Sequence, residues 1–204
     1  MRLAVSLFWS LILNTQHINL ITFVPQVKYK DSIQDMTIGK KIKSYMVFTK
    51  FRLASLVILS ALSGYLFADG NSGREITLLL IGGLLVTAAS NGSNQIWERD
   101  LDKLMKRTER RPIPQGLMTL GEAYAVVIVC LIVGTFMLYL INLYSALLGL
   151  AAFISYVFMY TPMKRVSPWA VLVGAFPGAI PPMLGAIAAT NDFGLLPGVL
   201  FFVQ

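Results

Sequence analysis

Five stretches of this 204-residue chain, at about residues 47–68, 76–97, 118–140, 143–161 and 168–189, are long and apolar enough to cross a bilayer as helices. A spanning helix takes roughly 20 mostly apolar residues. Inside hydrocarbon every backbone polar group must find its partner within the protein, which only a helix or a closed barrel provides. The expected fold is therefore all-α, a polytopic transmembrane bundle. A sixth apolar run begins at Leu195, and by Gln204 it has covered about half a bilayer at ~1.5 Å per residue. The expectation is thus a bundle truncated to about five and a half helices. Composition agrees, with 56% hydrophobic and 13% charged residues, against about 25% charged in soluble domains.

The N-terminal region reads differently. Leu3 to Leu13, "LAVSLFWSLIL", is too short to span and is interrupted by "NTQHIN". It is signal-like but has no evident cleavage site, and the expectation is an ill-defined extension or a misplaced start. Residues 25–43, "PQVKYKDSIQDMTIGKKIK", read as a polar linker and a short interfacial helix. The chain divides into an extension and linker, 1–43, and a transmembrane domain, 44–204. The single Cys130 excludes a disulfide framework or thiolate zinc cluster, and the single His17 excludes a multi-histidine site within one chain. The net charge of +7 does not indicate nucleic acid, because the bases sit in short loops between apolar runs. A lipid bilayer with anionic head groups is the expected partner.

Those loops set the orientation. Lys40, Lys41, Lys43, Lys50 and Arg52 precede the first span. Arg99, Lys103, Lys106, Arg107, Arg110 and Arg111 lie between the second and third, and Lys164 and Arg165 between the fourth and fifth. The alternate loops hold Arg74 alone, a ratio of 13 to 1. The positive-inside rule then places the three basic segments in the cytoplasm.

One of them, "NGSNQIWERDLDKLMKRTERRPIPQG" (residues 91–116), carries the chemistry. Ten of the 14 residues from Glu98 to Arg111 are charged, of 27 in the whole chain. Asn94, Glu98 and Asp102 recur every fourth residue, so on a helix they form one stripe, with Asp100 off it. Pro112 and Pro114 are expected to end that helix, and Gly116 to begin the next turn. Two carboxylates and an amide oxygen suit Mg2+, which takes one or two carboxylates and completes its shell with water and phosphate. The guanidinium groups of Arg107, Arg110 and Arg111 suit phosphate oxygens. The duller alternative is a solvated helix end with local ion pairs, Lys106 among them. Against it, Asn94 lies inside the apolar run, as do Ser90, Asn91, Ser93 and Gln95. Polar groups at membrane depth are costly and usually face a cavity or bundle interior.

The run "NQIWERDLDKLMKRTERRP" resembles the first acidic motif of the intramembrane prenyltransferases, the UbiA-like superfamily. The pattern D-x-x-M-x-R-T-x-x-R-P, Asp102 to Pro112, is similar to its branch of haem-farnesylating enzymes. So are "YTPMKRVSPW" (Tyr160 to Trp169), "GAFPGAIPPMLGAIAAT" (Gly174 to Thr190) and "FTKFRLASLVILSALSGYLFA", where Phe51 stands in place of a frequent proline. The resemblance covers about residues 44–204. It implies transfer of a farnesyl group from farnesyl diphosphate to a vinyl group of haem B, giving haem O, in a bacterial inner membrane with the active-site loops cytoplasmic. Asn94, Glu98 and Asp102 fall on the metal positions and are the implied catalytic residues, although many relatives carry Asp where Glu98 stands. Arg107 and Arg111 fall on diphosphate positions, and Lys164 and Arg165 suit diphosphate or haem propionates. Phe136, Tyr139, Tyr156 and Tyr160 offer π faces to an allylic cation, or simply pack. The family also carries a second acidic motif after a sixth helix. The expectation is half of a metal–diphosphate clamp, left incomplete or completed by a second chain. The alternatives are a related prenyltransferase with an aromatic acceptor, a transporter, and an inactive membrane scaffold. A transporter would gather its polar residues at mid-membrane, whereas these gather at one helix end.

Overall fold

The computed structural model describes residues 37–203, so residues 1–36, with the N-terminal apolar stretch and most of the linker, lie outside it. The described chain is built from helices joined by turns: α1 (Ile38–Phe48), α2 (Phe51–Phe67), α3 (Gly73–Asp102), α4 (Leu120–Tyr139), α5 (Leu143–Ile154), α6 (Ala170–Thr190) and α7 (Leu195–Val203). Four continuous helices are long and apolar enough to cross a membrane: α3, α4, the stretch Leu143–Met163 that extends α5, and α6. α1 and α2 together make a fifth candidate, bent by 52°. The expected first span at 47–68 is thus a helix from Phe51 with a second helix set at an angle before it.

Local sequence explains the helix starts. Ser72 caps α3, its hydroxyl accepting from the Glu75 N–H at 3.4 Å, while its own N–H donates to the Tyr65 hydroxyl, which donates on to Glu75. Thr119 caps α4, accepting from the Glu122 N–H at 3.1 Å. Asn142 caps α5 by accepting from the Ser145 N–H at 2.8 Å. Its amide also donates to the Ile187 carbonyl at 3.0 Å, which fastens the start of α5 to the end of α6. Asn191, in the left-handed conformation that Asn tolerates, ends α6.

Packing between helices relies on close backbone approach. A Cβ on Gly185 of α6 would lie 1.8 Å from the Ala61 carbonyl oxygen, and one on Gly64 of α2 2.0 Å from that of Pro182. Lipid tails are as apolar as leucine, so contact between smooth backbones, rather than exclusion of water, drives such pairing. The core runs through Phe48, Tyr65, Leu79, Val86, Leu138, Phe153 and Leu184. Large apolar side chains such as Leu56, Ile132, Val171 and Phe202 point outward, as a lipid-facing surface requires.

Two departures from regular helix shape the end of the bundle where the charges gather. The first follows α5, where Ser155–Tyr160 widen into a π-helical turn before the last turn, Thr161–Met163. Pro162 has no N–H to donate to the preceding turn, and the wider turn absorbs that break. A π turn inserts a residue into the helical count and so rotates everything after it. The second is the elbow at Thr49–Lys50, where Lys50 takes φ 49° and ψ 52°. That left-handed conformation disfavours any residue with a Cβ, by about 1–2 kcal/mol.

Candidate active site

The polar residues of α3 divide between two neighbouring faces. Asn91 and Gln95 face the elbow. Asn91 donates to the Thr49 carbonyl at 3.0 Å, and Gln95 donates to Val47 at 3.1 Å and Phe48 at 2.8 Å. The Val47 carbonyl also accepts from the Lys50 N–H at 3.2 Å, and carbonyls at a helix end commonly need partners from outside the helix, so two buried amides help hold the left-handed turn in place. Asn94, Glu98 and Asp102 form the other stripe, as their spacing predicts.

Around that stripe the chain assembles cations from distant segments. Lys164 donates from Nζ to Asn94 Oδ1 at 2.7 Å and pairs with Glu98 Oε1 at 2.8 Å. Thr161 donates to the same Asn94 oxygen at 3.2 Å, and the Asn94 amide donates to Glu98 Oε2 at 3.0 Å. Arg111 places Nη1 2.6 Å from Asp102 Oδ2 and 3.6 Å from Glu98 Oε2. The Asp102 side chain is only 4% exposed and that of Glu98 14%, so these pairs are largely desolvated. Lys50 projects from the elbow toward the same groups.

The expected helix through Glu98 to Arg111 ends early, at Asp102. Thr108 turns its hydroxyl back onto the Asp102 carbonyl at 3.2 Å. The segment then folds in successive turns that bury Ile113 and Met118 and use Gly116 at φ 71°. That fold-back brings Arg111 to Asp102, whereas Arg107 and Arg110 stay exposed, outside the ion-pair network. Asp102 pairs with Arg111 rather than Lys106. The solvated local pairing falls instead to Asp100, with Arg99 at 3.6 Å and Lys103 at 3.3 Å. Arg165 donates to the Trp97 carbonyl at 3.3 Å, beside Glu98 but not onto it.

A cleft of about 540 Å³ opens beside Lys164, lined by Tyr156, Tyr160, Ser167, Ala170 and Gly174 among others. The Tyr156 and Tyr160 rings lie 5.3 Å apart, and Lys164 Nζ lies 5.5 Å from the Tyr160 centroid. Of the four aromatic residues picked out in the sequence, these two meet the site. Phe136 and Tyr139 sit at the far end of α4, exposed on its outer side.

The donor set fits one divalent ion of the Mg2+ type. Among the described residues no group of three or more His, Cys, Asp and Glu could hold a metal. Two carboxylates and an amide oxygen on one face match the few protein ligands Mg2+ takes beside phosphate and water. Lys50 and Thr161 are the members the sequence reading missed. Lys50 stood there only as one more cytoplasmic base, and Thr161 as part of a family stretch. Thr161 reaches the site through its bond to Asn94, and Lys50 through the elbow that Asn91 and Gln95 hold, and no local pattern reports either.

The chain resembles known proteins over most of its described length. The chain is 46% identical over 169 residues to a protoheme IX farnesyltransferase of Cytophaga hutchinsonii, covering 81% of this chain and 59% of that protein. It is 45% identical over 164 residues to one of Christiangramia forsetii, covering 80% and 55%. The chain thus spans little more than half the length of these relatives. Among solved structures it superposes on a digeranylgeranylglyceryl phosphate synthase with a TM-score of 0.72 at 20% identity, covering 79% of this chain and 57% of that one. It also superposes on a UbiA homolog from Archaeoglobus fulgidus bound to GPP and Mg2+, with a TM-score of 0.63 at 19% identity, covering 78% and 59%. At such identities these two structures bear on the fold, which is theirs. Residues 57–204 match the UbiA prenyltransferase family, and with close sequence relatives inside it the chain belongs to that family.

Proposed function

We propose that this chain forms the first half of a haem-farnesylating active site, which joins the farnesyl group of farnesyl diphosphate to a vinyl group of haem B and yields haem O. The observation that carries the reading is the convergence of three oxygen donors, Asn94, Glu98 and Asp102, with Arg111 and Lys164 at one helix end. Donors for a metal beside donors for phosphate are what a prenyl diphosphate needs. The farnesyl and haem specificity is supported by the names of the two sequence relatives.

Mg2+, held by Asn94, Glu98 and Asp102, would supply charge neutralisation at the diphosphate. Arg111, Lys164 and Lys50 add fixed positive charge as the allylic C–O bond breaks and negative charge grows on the leaving group. Tyr156 and Tyr160 present their faces to the cleft, where a cationic farnesyl carbon gains from ring quadrupoles. The haem vinyl carbon then forms the new C–C bond, and water adds to the neighbouring carbon, giving a hydroxyethylfarnesyl group and free diphosphate. The apolar helix walls must keep water away until that bond exists, or the product is farnesol. Arg107 and Arg110 are best placed to attract anionic substrate to the mouth of the site. The facing half of the clamp is assigned to the portion of the relatives that this chain does not span, and no observation favours a second polypeptide as its source. The loop charges support a site that opens to the cytoplasmic side, and the bacterial relatives support a bacterial inner membrane.

The deciding experiment joins this chain to the remaining portion of the Cytophaga hutchinsonii relative, in liposomes with haem B, farnesyl diphosphate and Mg2+. Haem O formed by that protein and lost with Asp102→Ala supports the reading. Undiminished haem O from the Asp102→Ala protein overturns the site assignment, and a different prenylated acceptor overturns the substrate.

A further inference from the structure

We infer that Lys164 and Arg111 lock the carboxylate stripe, so that a divalent cation and a diphosphate bind this chain strongly only together. The inference deepens the reading of the site as a metal–diphosphate centre and rests on it. Each of the three metal donors is already engaged by a cation. Lys164 Nζ lies 2.7 Å from Asn94 Oδ1 and 2.8 Å from Glu98 Oε1. Arg111 Nη1 lies 2.6 Å from Asp102 Oδ2.

Mg2+ sits about 2.0–2.1 Å from its oxygen ligands. An ion shared by Asn94 and Glu98 would therefore take nearly the place of the Lys164 ammonium. Both cannot stay, because like charges that close repel strongly in a partly desolvated site. A metal arriving alone must evict Lys164 and loosen Arg111 while offering neither a new partner. A diphosphate arriving alone meets carboxylates that hold the same two cations. When both arrive, Lys164 and Arg111 turn from carboxylate to phosphate oxygens and the metal takes the vacated donors. Every charge is then matched again.

The two residues are suited to that exchange. Lysine is a point charge on a flexible stem, whereas arginine grips phosphate with a planar fork. Lys164 follows the π turn, borders the cleft, and has the Tyr160 ring face as a second resting place at 5.5 Å. The Thr161 hydroxyl also reaches the Tyr156 carbonyl within the π turn at 2.9 Å, so the turn itself need not move. By linkage, whatever factor diphosphate adds to metal affinity, metal adds to diphosphate affinity.

The prediction that marks out the lock is a gain. Removing the Lys164 charge should tighten binding of the metal alone, about tenfold, within the usual range of such couplings. A lysine that served only as a phosphate ligand would lower phosphate affinity and leave the empty donors as they were. The test is equilibrium dialysis of the chain in phosphatidylcholine nanodiscs, with empty discs as control, reading Mn2+ retained with and without inorganic pyrophosphate. Pyrophosphate in solution competes for Mn2+, so higher retention in its presence reports the protein.

The expected result is retention at least tenfold tighter with pyrophosphate in the unsubstituted chain. In Lys164→Ala and Lys164→Met, Mn2+ alone binds more tightly and the pyrophosphate effect shrinks, while Lys164→Arg keeps the coupling. Lys164→Met retains most of the stem, and far-UV circular dichroism verifies its fold. Equal Mn2+ affinity with and without pyrophosphate in the unsubstituted chain overturns the lock and leaves the metal site standing. Unchanged affinity for Mn2+ alone in both neutral variants does the same. Absence of Mn2+ retention in every form and condition overturns the metal reading, and the lock with it.

Discussion

Arg111 reaches back nine residues to place its guanidinium 2.6 Å from Asp102, on a side chain only 4% exposed. The contact joins the end of α3 to a segment that is no longer helical, and it gives a carboxylate a cationic partner where water scarcely reaches. Leaving one member of a buried pair alone costs about 3–5 kcal/mol, whereas replacing both can be nearly neutral. Arg111→Ala should therefore destabilise the fold by about 3 kcal/mol, and adding Asp102→Asn should recover much of the loss. Reversible denaturant unfolding of the two single variants and the double variant in mixed micelles measures this. Additive losses in the double variant would show that the pair is not coupled.

The elbow makes a separate prediction. Gln95 spans two carbonyls at the end of α1 and Asn91 a third. Removing such a partner leaves a buried acceptor unsatisfied, at about 1–3 kcal/mol. In Gln95→Ala the left-handed turn at Lys50 should open first. Trypsin cleavage after Lys50 should accelerate and amide exchange should rise across α1, with α4 and α6 little changed. Uniform acceleration across all helices would instead mean a global loss of stability.

Helix contact predicts a contrast between two glycines of α6. A Cβ at Gly185 would lie 1.8 Å from a backbone oxygen of α2, while one at Gly178 meets nothing within 4 Å. Gly185→Ala should cost about 2–3 kcal/mol through overpacking. Gly178→Ala should be neutral or stabilise by about 0.5–1 kcal/mol, since glycine loses more conformational freedom in a helix. Thermal unfolding of the two variants side by side would separate them, and similar melting temperatures would argue against this α2–α6 register.

The basic residues split into two groups with different expected kinetics in the joined, full-length enzyme. Arg111 and Lys164 touch the carboxylate stripe, whereas Arg107 and Arg110 are exposed. Arg111→Ala should lower kcat by about 100-fold or more, the scale of a lost preorganised donor. Arg107→Ala and Arg110→Ala should mainly raise KM for farnesyl diphosphate, an effect that fades at high salt as screening lengths shorten. Steady-state rates at two ionic strengths distinguish the groups. A salt-independent kcat loss in Arg107→Ala would place that residue in the site after all.

What the sequence determined by itself was everything that depends on short-range periodicity. Twenty apolar residues in a row must become a membrane helix, because no other local structure satisfies the backbone in lipid. Ser72, Thr119 and Asn142 mark helix starts because their side chains cap the N–H groups two or three residues on. A spacing of four puts Asn94, Glu98 and Asp102 on one face whatever surrounds them. The ratio of loop charges pointed to a common side for the three basic segments, and the pairing of Arg111 and Lys164 with Glu98 agrees with it.

The tertiary structure decided which of the 13 bases meet the carboxylate stripe, because that depends on where separate segments turn. The end of α3 at Asp102 follows from Thr108 closing on its carbonyl and from the burial of Ile113 and Met118 beyond it. These events select Arg111 and leave out its neighbours. The phase of Lys164 depends on the π turn before it, and the direction of Lys50 on two amides of α3 more than forty residues away. Pattern along one helix carries no information about the rotation of the next, since that rotation is fixed only when their side chains pack and their polar groups find partners.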